Sequence, residues 1–163
     1  MKKLAKILLL ICLLLSVGAC HNTKKTEITT CSSTLLPSEN KVLIYNRGNE
    51  IVKVETYELL DEATLDLYYY LKPEHLKYEE DIISALVLYY FGFEYEQIKG
   101  FTVKWEIVAE TSLYVIVTID YKVISFDDLK YIGFTDLDNM EDAKNKSTFV
   151  VDMENHGFVC KNN

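Results

Sequence analysis

The stretch FTVKWEIVAETSLYVIVTID, Phe101 to Asp120, decides the fold. Phe101, Val103, Trp105 and Ile107 alternate with Thr102, Lys104 and Glu106; after Glu110-Thr111-Ser112, Leu113, Val115, Val117 and Ile119 alternate with Tyr114, Ile116, Thr118 and Asp120. Successive side chains of a strand point to opposite faces, so apolar residues at every second position set one face on a core. Two such runs joined by a short connection predict an antiparallel pair.

Upstream, Lys41 to Tyr45 and Ile51 to Tyr57 are β-rich runs around Asn46-Arg47-Gly48-Asn49, which reads as a hairpin, and the Thr- and Ile-rich run Glu27 to Ser32 adds a strand before it. Past Pro73 the texture changes. Leu76, Ile82, Ile83, Leu86, Val87, Tyr90 and Phe91 recur at helical spacing between Glu74 and Phe91, and Gly92 supplies a stop. Downstream, Asp138-Asn139 is a cap for a helix from Met140 towards His156, with Gly157 at its end and Phe158-Val159-Cys160 returning to the body of the fold. The expected class is α+β, an antiparallel sheet of about four to six strands covered by two helices.

The N-terminal end concerns address rather than fold. Lys2, Lys3 and Lys6 precede an apolar run from Ile7 to Leu15, followed by Ser16 to Ala19. A bilayer core of about 30 Å needs about 20 apolar residues, so this run is too short for a permanent span. A positive start, a short apolar centre and small residues before a cut describe a secretory signal peptide. Val17-Gly18-Ala19-Cys20 resembles the bacterial lipobox, in which a cysteine is joined to diacylglycerol and becomes the first residue of the mature chain. The expected organisation is a signal peptide over residues 1–19, lipidated Cys20 with a polar tether over 20–26, and one globular domain over 27–163. An acylated Cys20 would anchor the protein to membrane lipid on the extracytoplasmic face of the cell membrane, since more than one acyl chain is needed for stable anchoring.

Removing residues 1–19 leaves 14 basic against 25 acidic residues, a net charge of −11. That balance argues against nucleic acid as a partner, because phosphate binding calls for a basic patch. With two prolines, six glycines, 12 tyrosines and seven phenylalanines, the chain has the composition of an ordered domain. Cys12 leaves with the signal peptide and Cys20 is assigned to lipid. Cys31 and Cys160 remain, either as a disulfide, which an extracytoplasmic setting permits, or as two buried thiols.

The order of lipobox, N-terminal hairpin, long helix, the strand ending Val117-Thr118-Ile119-Asp120-Tyr121-Lys122, then Phe126-Asp127-Asp128-Leu129 and a closing helix before Gly157-Phe158, resembles the YehR-like family of small bacterial lipoproteins. The likeness spans most of the mature chain and rests on the I-D-Y-x-x-x-x-F-x-x-L stretch and the closing G-F. Tyr68-Tyr69-Tyr70 and Tyr89-Tyr90-Phe91 depart from the family's usual Lys- and Gly-rich helix region. The resemblance implies helices covering an antiparallel sheet outside a membrane. It implies no activity, since the family is uncharacterised.

Catalytic and ligand motifs are weak throughout. Ser38-Glu39-Asn40-Lys41 matches the S-x-x-K of penicillin-recognising enzymes but has no S-D-N or K-T-G partner. Asp136, Asp138, Glu141 and Asp142 read as a solvated charge cluster at a helix start rather than a calcium loop. His75 and His156 lack metal-site spacing. Asp120 and Tyr121 are the most noticeable polar pair in an apolar strand and are weak candidates for a polar site. No catalytic residue, metal or cofactor is assigned. The expectation is a membrane-anchored lipoprotein of unknown biochemical activity, most readily a binding or interaction module for an envelope protein or ligand and not an enzyme. The alternatives are an envelope enzyme using carboxylates, or a structural or chaperone-like envelope component.

Overall fold

The computed structural model describes residues 25–33, 40–69, 71–72, 74, 77–78, 80, 82, 98–109, 111–134 and 137–163. Among the described residues the strands are β1 (Glu27–Ser33), β2 (Lys41–Arg47), β3 (Glu50–Leu60), β4 (Phe101–Ala109), β5 (Ser112–Asp120) and β6 (Phe158–Asn162). The helices are α1 (Glu62–Tyr69), α2 (Phe126–Tyr131), α3 (Met140–Ala143) and α4 (Lys146–Asn155). The strands form one open antiparallel sheet in the order β4-β5-β3-β2-β1-β6. The class is α+β, as the strand periodicity predicts.

The β4–β5 pair sets one face of this sheet. Phe101 lies opposite Ile119, Val103 opposite Val117 and Trp105 opposite Val115. These side chains join two clusters on the same face. The first unites Ile44, Val54, Ile119, Phe101 and Tyr121 with Leu129 of α2 and Ala143 of α3, and Phe149, Val150 and Met153 of α4 pack against it. The second unites Leu60, Leu113 and Val115 with Leu65 of α1 and with Leu71 and Ile82. Burying each such aliphatic side chain contributes about 1.5–3 kcal/mol. The helices are thus held to one side of the sheet by its alternate residues.

The hairpin is tighter than the sequence suggests. Strand pairing continues to Arg47 and resumes at Glu50, leaving Gly48 and Asn49 as the turn, with Gly48 at φ 66°. A bulge at Tyr45/Asn46 and a hydrogen bond from Asn46 Nδ2 to Gly48 O (2.7 Å) accompany it. The helix expected from Met140 towards His156 is two helices. Asn139 caps α3, accepting from Asp142 N, and a second cap follows at Asn145, whose Oδ1 accepts from Thr148 N (3.2 Å). The break has a tertiary cause. Lys144 O accepts from Ile51 N (2.8 Å), and Lys146 N donates to Asn49 O (2.9 Å), so the hairpin turn takes the backbone groups that a continuous helix would use. The helix expected over Glu74–Phe91 lies outside the described residues apart from isolated positions, of which Ile82 is buried.

Gly100 opens β4 at φ 84°, where a Cβ would lie 2.6 Å from Ile124 N and 3.0 Å from Asp120 O. Only glycine fits that approach. At the far edge β6 pairs with β1, and Cys31 and Cys160 are direct partners there, their sulfurs bonded at 2.04 Å.

Candidate functional site

The helices occupy the face defined by Ile44, Val54 and Ile119, and the alternate residues of the same strands form the second face. Strand register brings them into rows. Tyr45 lies opposite Lys53, Leu43 opposite Glu55, and Lys41 opposite Tyr57. On the other side of β3, Tyr57 lies opposite Ile116 and Leu59 opposite Tyr114, while Glu106 of β4 lies opposite Tyr114. Among the described residues these side chains are half-buried or exposed, which makes this face a candidate contact surface.

Glu55 is the centre of the face. Its Oε1 accepts from Lys53 Nζ (2.7 Å), and its Oε2 accepts from the hydroxyls of Tyr45 (2.8 Å) and Tyr57 (3.2 Å). Diagonal neighbours on adjacent strands are within reach of long aromatic side chains, which is how Tyr45 of β2 and Glu55 of β3 meet. Lys53 Nζ also sits 3.8 Å from the Tyr45 ring centroid, a cation–π arrangement. Burial works to raise the Glu55 pKa, but hydrogen bonds from Lys53 and Tyr45, the Lys53 charge and the Tyr57 hydroxyl outweigh it and hold the carboxyl below its ordinary value. Burial, the hydrogen bond to Glu55 and that carboxylate's charge push Tyr45 up to about 12. Tyr57 is raised for the same reasons, burial first.

The network fixes the Tyr57 ring from three sides. Its hydroxyl is tied to Glu55, the Tyr114 ring stands edge-on with centroids 6.5 Å apart at 81°, and Lys41 Nζ lies 5.7 Å from its centroid. Beside this ring runs an open groove of about 580 Å³, whose described lining includes Ser32, Asn40, Lys41, Tyr57, Tyr114 and Glu106. These come from β1, the approach to β2, then β2, β3, β5 and β4, so the groove crosses five adjacent strands. Its described lining carries one carboxylate, Glu106, and one ammonium, Lys41. A fixed ring, two opposite charges and hydroxyl and amide groups suit recognition. The described lining holds no second carboxylate beside Glu106, the pairing that glycosidic hydrolysis ordinarily uses.

Asn40 and Lys41 of the Ser38–Lys41 motif line this groove, while the other described residues singled out in sequence fall elsewhere. Asp120 ends β5, where its Oδ1 accepts from Lys122 N (2.9 Å) and its carbonyl accepts from Val123 N and Ile124 N, so it shapes the turn into α2. Tyr121 is in the core, and burial pushes its phenol up. The structure thus places Asp120 in the turn and Tyr121 in the core. Asp142 is held by Asn139, whose Nδ2 donates to its Oδ2 (2.7 Å), and Asp136 lies outside the described residues. Among the described residues no three His, Cys, Asp or Glu side chains converge as metal ligands. His156 caps α4, with Nδ1 2.8 Å from Asp152 O. Cys20, Ser38, His75, Tyr70, Tyr89, Tyr90 and Phe91 lie outside the described residues. Cys160 lines a smaller notch of about 340 Å³ with Thr29, Asn49, Lys146 and Asn162. Sequence reasoning missed Tyr45, Lys53, Glu55 and Tyr57, although polar residues at 53, 55 and 57 on the second face of β3 were a visible signal.

No family model matches the chain, and no curated protein sequence matches it. Solved structures do. The NMR structure of E. coli YehR aligns with a TM-score of 0.60 at 18% identity, covering 84% of this chain and 91% of that one. The NMR structure of a protein from Streptococcus pneumoniae TIGR4 aligns with a TM-score of 0.53 at 14% identity, covering 85% of this chain and 87% of that one. At these identities the comparison shows a shared fold, and the chain has a YehR-like fold.

Proposed function

We propose that this chain is a bacterial lipoprotein, anchored through acylated Cys20 on the extracytoplasmic side of the cell membrane, whose second sheet face binds an envelope ligand or partner. The sequence supports the address: a positive start, a short apolar run and Val17-Gly18-Ala19-Cys20. The Cys31–Cys160 bridge supports it too, since disulfides persist in oxidising compartments. The observation that carries the binding role is the Tyr57 ring, held by Glu55, Tyr114 and Lys41 at the side of a 580 Å³ groove. A side chain ordered before binding costs less to immobilise on binding. The face is built to recognise rather than to react, because Glu55 is already engaged by three donors.

A photoreactive phenylalanine analogue in place of Tyr57, in the full-length protein in its own cells, tests the face. The expected result is an ultraviolet-dependent adduct in the membrane fraction that is absent when the analogue replaces Val151, an exposed residue of α4. No adduct at 57, or equal adducts at both positions, contradicts the binding role.

A further inference from the structure

We propose that the groove crossing β1, β2, β3, β5 and β4 binds a short, uncharged oligosaccharide, an inference that rests on the reading of this face as the binding surface. Length is the first argument. Four inter-strand spacings of about 4.8 Å give a trough about 19 Å long, suited to an extended ligand rather than a compact one.

Lining chemistry is the second argument. A sugar ring presents a C–H face and an equator of hydroxyls. The groove offers the rings of Tyr57 and Tyr114 for the former, and the Ser32 hydroxyl, Asn40 amide, Lys41 ammonium and Glu106 carboxylate for the latter. Aromatic walls with a few polar groups that fix orientation are the usual composition of a small-ligand site. Charge then narrows the class. Lys41 and Glu106 offset one another within the groove, and a mature chain of net charge −11 repels polyanions, which disfavours phosphorylated or polyanionic ligands.

Backbone pairing disfavours one rival ligand, a peptide added as an extra strand. Extended peptides gain affinity by adding to a free sheet edge. Here β2, β3 and β5 each pair on both sides, so the middle of the groove exposes side chains and offers no strand edge. Glu55 acts through Tyr57: by bonding its hydroxyl it sets the ring as a fixed platform.

Titration calorimetry of the protein purified from its native membrane, with chitotetraose, cellotetraose and maltotetraose at millimolar concentration, tests the proposal. Saturable binding of at least one is expected, weakened about tenfold by Tyr57→Ala, as loss of an aromatic contact and its buried area requires. Tyr57→Phe, which keeps the ring, should lose less. Should Tyr57→Ala fail to fold, Glu106→Gln on the exposed end of the groove serves instead and should also weaken binding. No saturable binding to any of the three sugars, binding indifferent to both Tyr57→Ala and Glu106→Gln, or tighter binding of a tetra-alanine peptide overturns the proposal. A protein adduct at position 57 without sugar binding overturns the saccharide alone, whereas loss of the adduct overturns the binding face itself.

Discussion

Cys31 stands directly opposite Cys160 across the β1–β6 pair, with Cα atoms 4.0 Å apart and sulfurs bonded. The bridge joins the first strand of the sheet to the last across a sequence separation of 129 residues, and β6 is an edge strand held in the sheet by β1 alone. Closing so long a loop stabilises by restricting the unfolded chain, with removal of a native bridge costing about 2–5 kcal/mol. Thiol labelling of the unfolded, non-reduced protein should therefore find neither Cys31 nor Cys160, and reductant should lower the urea midpoint. Two titrating thiols at these positions would sink the prediction.

Acid and alkali should act on the face through different groups. The Glu55 pKa is lowered on folding, so its contribution is complete above the ordinary carboxylate value of about 4.3 and is lost as pH falls through the folded value. Glu55→Gln should reduce stability at neutral pH while flattening the acid limb of the stability profile. An unchanged acid limb contradicts the network.

Tyr45 runs the other way. Its phenol is raised from 10.0 to about 12, so folding favours the neutral form, and the contribution present below pH 10 is lost as pH climbs towards 12. Ultraviolet difference titration should show a late-ionising phenol that disappears in Tyr45→Phe. If every phenol in the folded protein except buried Tyr121 ionises near 10, the Tyr45–Glu55 bond is not formed in solution.

Asn145 serves two elements at once: its Oδ1 accepts from Thr148 N at the start of α4 and from Asn49 Nδ2 of the hairpin turn (3.0 Å). Asn145→Ala should cost about 1–2 kcal/mol, the upper range for a lost cap. Asn139→Ala, which removes the cap of the four-residue α3, should cost less. Urea unfolding of the two variants compares them, and equal midpoints would deny the clip between turn and helix.

What the sequence made legible was whatever depends on neighbours in the chain. The alternation of Phe101, Val103 and Trp105 with polar residues reports directly on one buried face, and β4 and β5 follow it. The cap at Asn139 and the stop at Gly157, with φ 84°, are local signals as well. The break at Lys144–Asn145 was not legible, because Asn49 and Ile51 cause it from about 95 residues away in sequence. Helix α1 carries a short local signal too, since Asp61 Oδ1 accepts from Thr64 N (2.9 Å) at its start. The face around Glu55 depends on register, which sets Tyr45 of one strand beside Lys53 and Glu55 of the next, and a one-residue slip would scatter those side chains to the other side. Asp120 ends its strand by bonding its own turn, an arrangement that looks in sequence like a carboxylate held for chemistry.

Intact-mass spectrometry of the protein from its native membrane, beside a Cys20→Ser variant, tests the proposed address most directly. The expected result is a chain beginning at Cys20 that carries acyl mass, with the variant lacking it and released from the membrane. An unmodified chain, or one cut elsewhere, would contradict the anchor and with it the placement of this sheet face in the envelope.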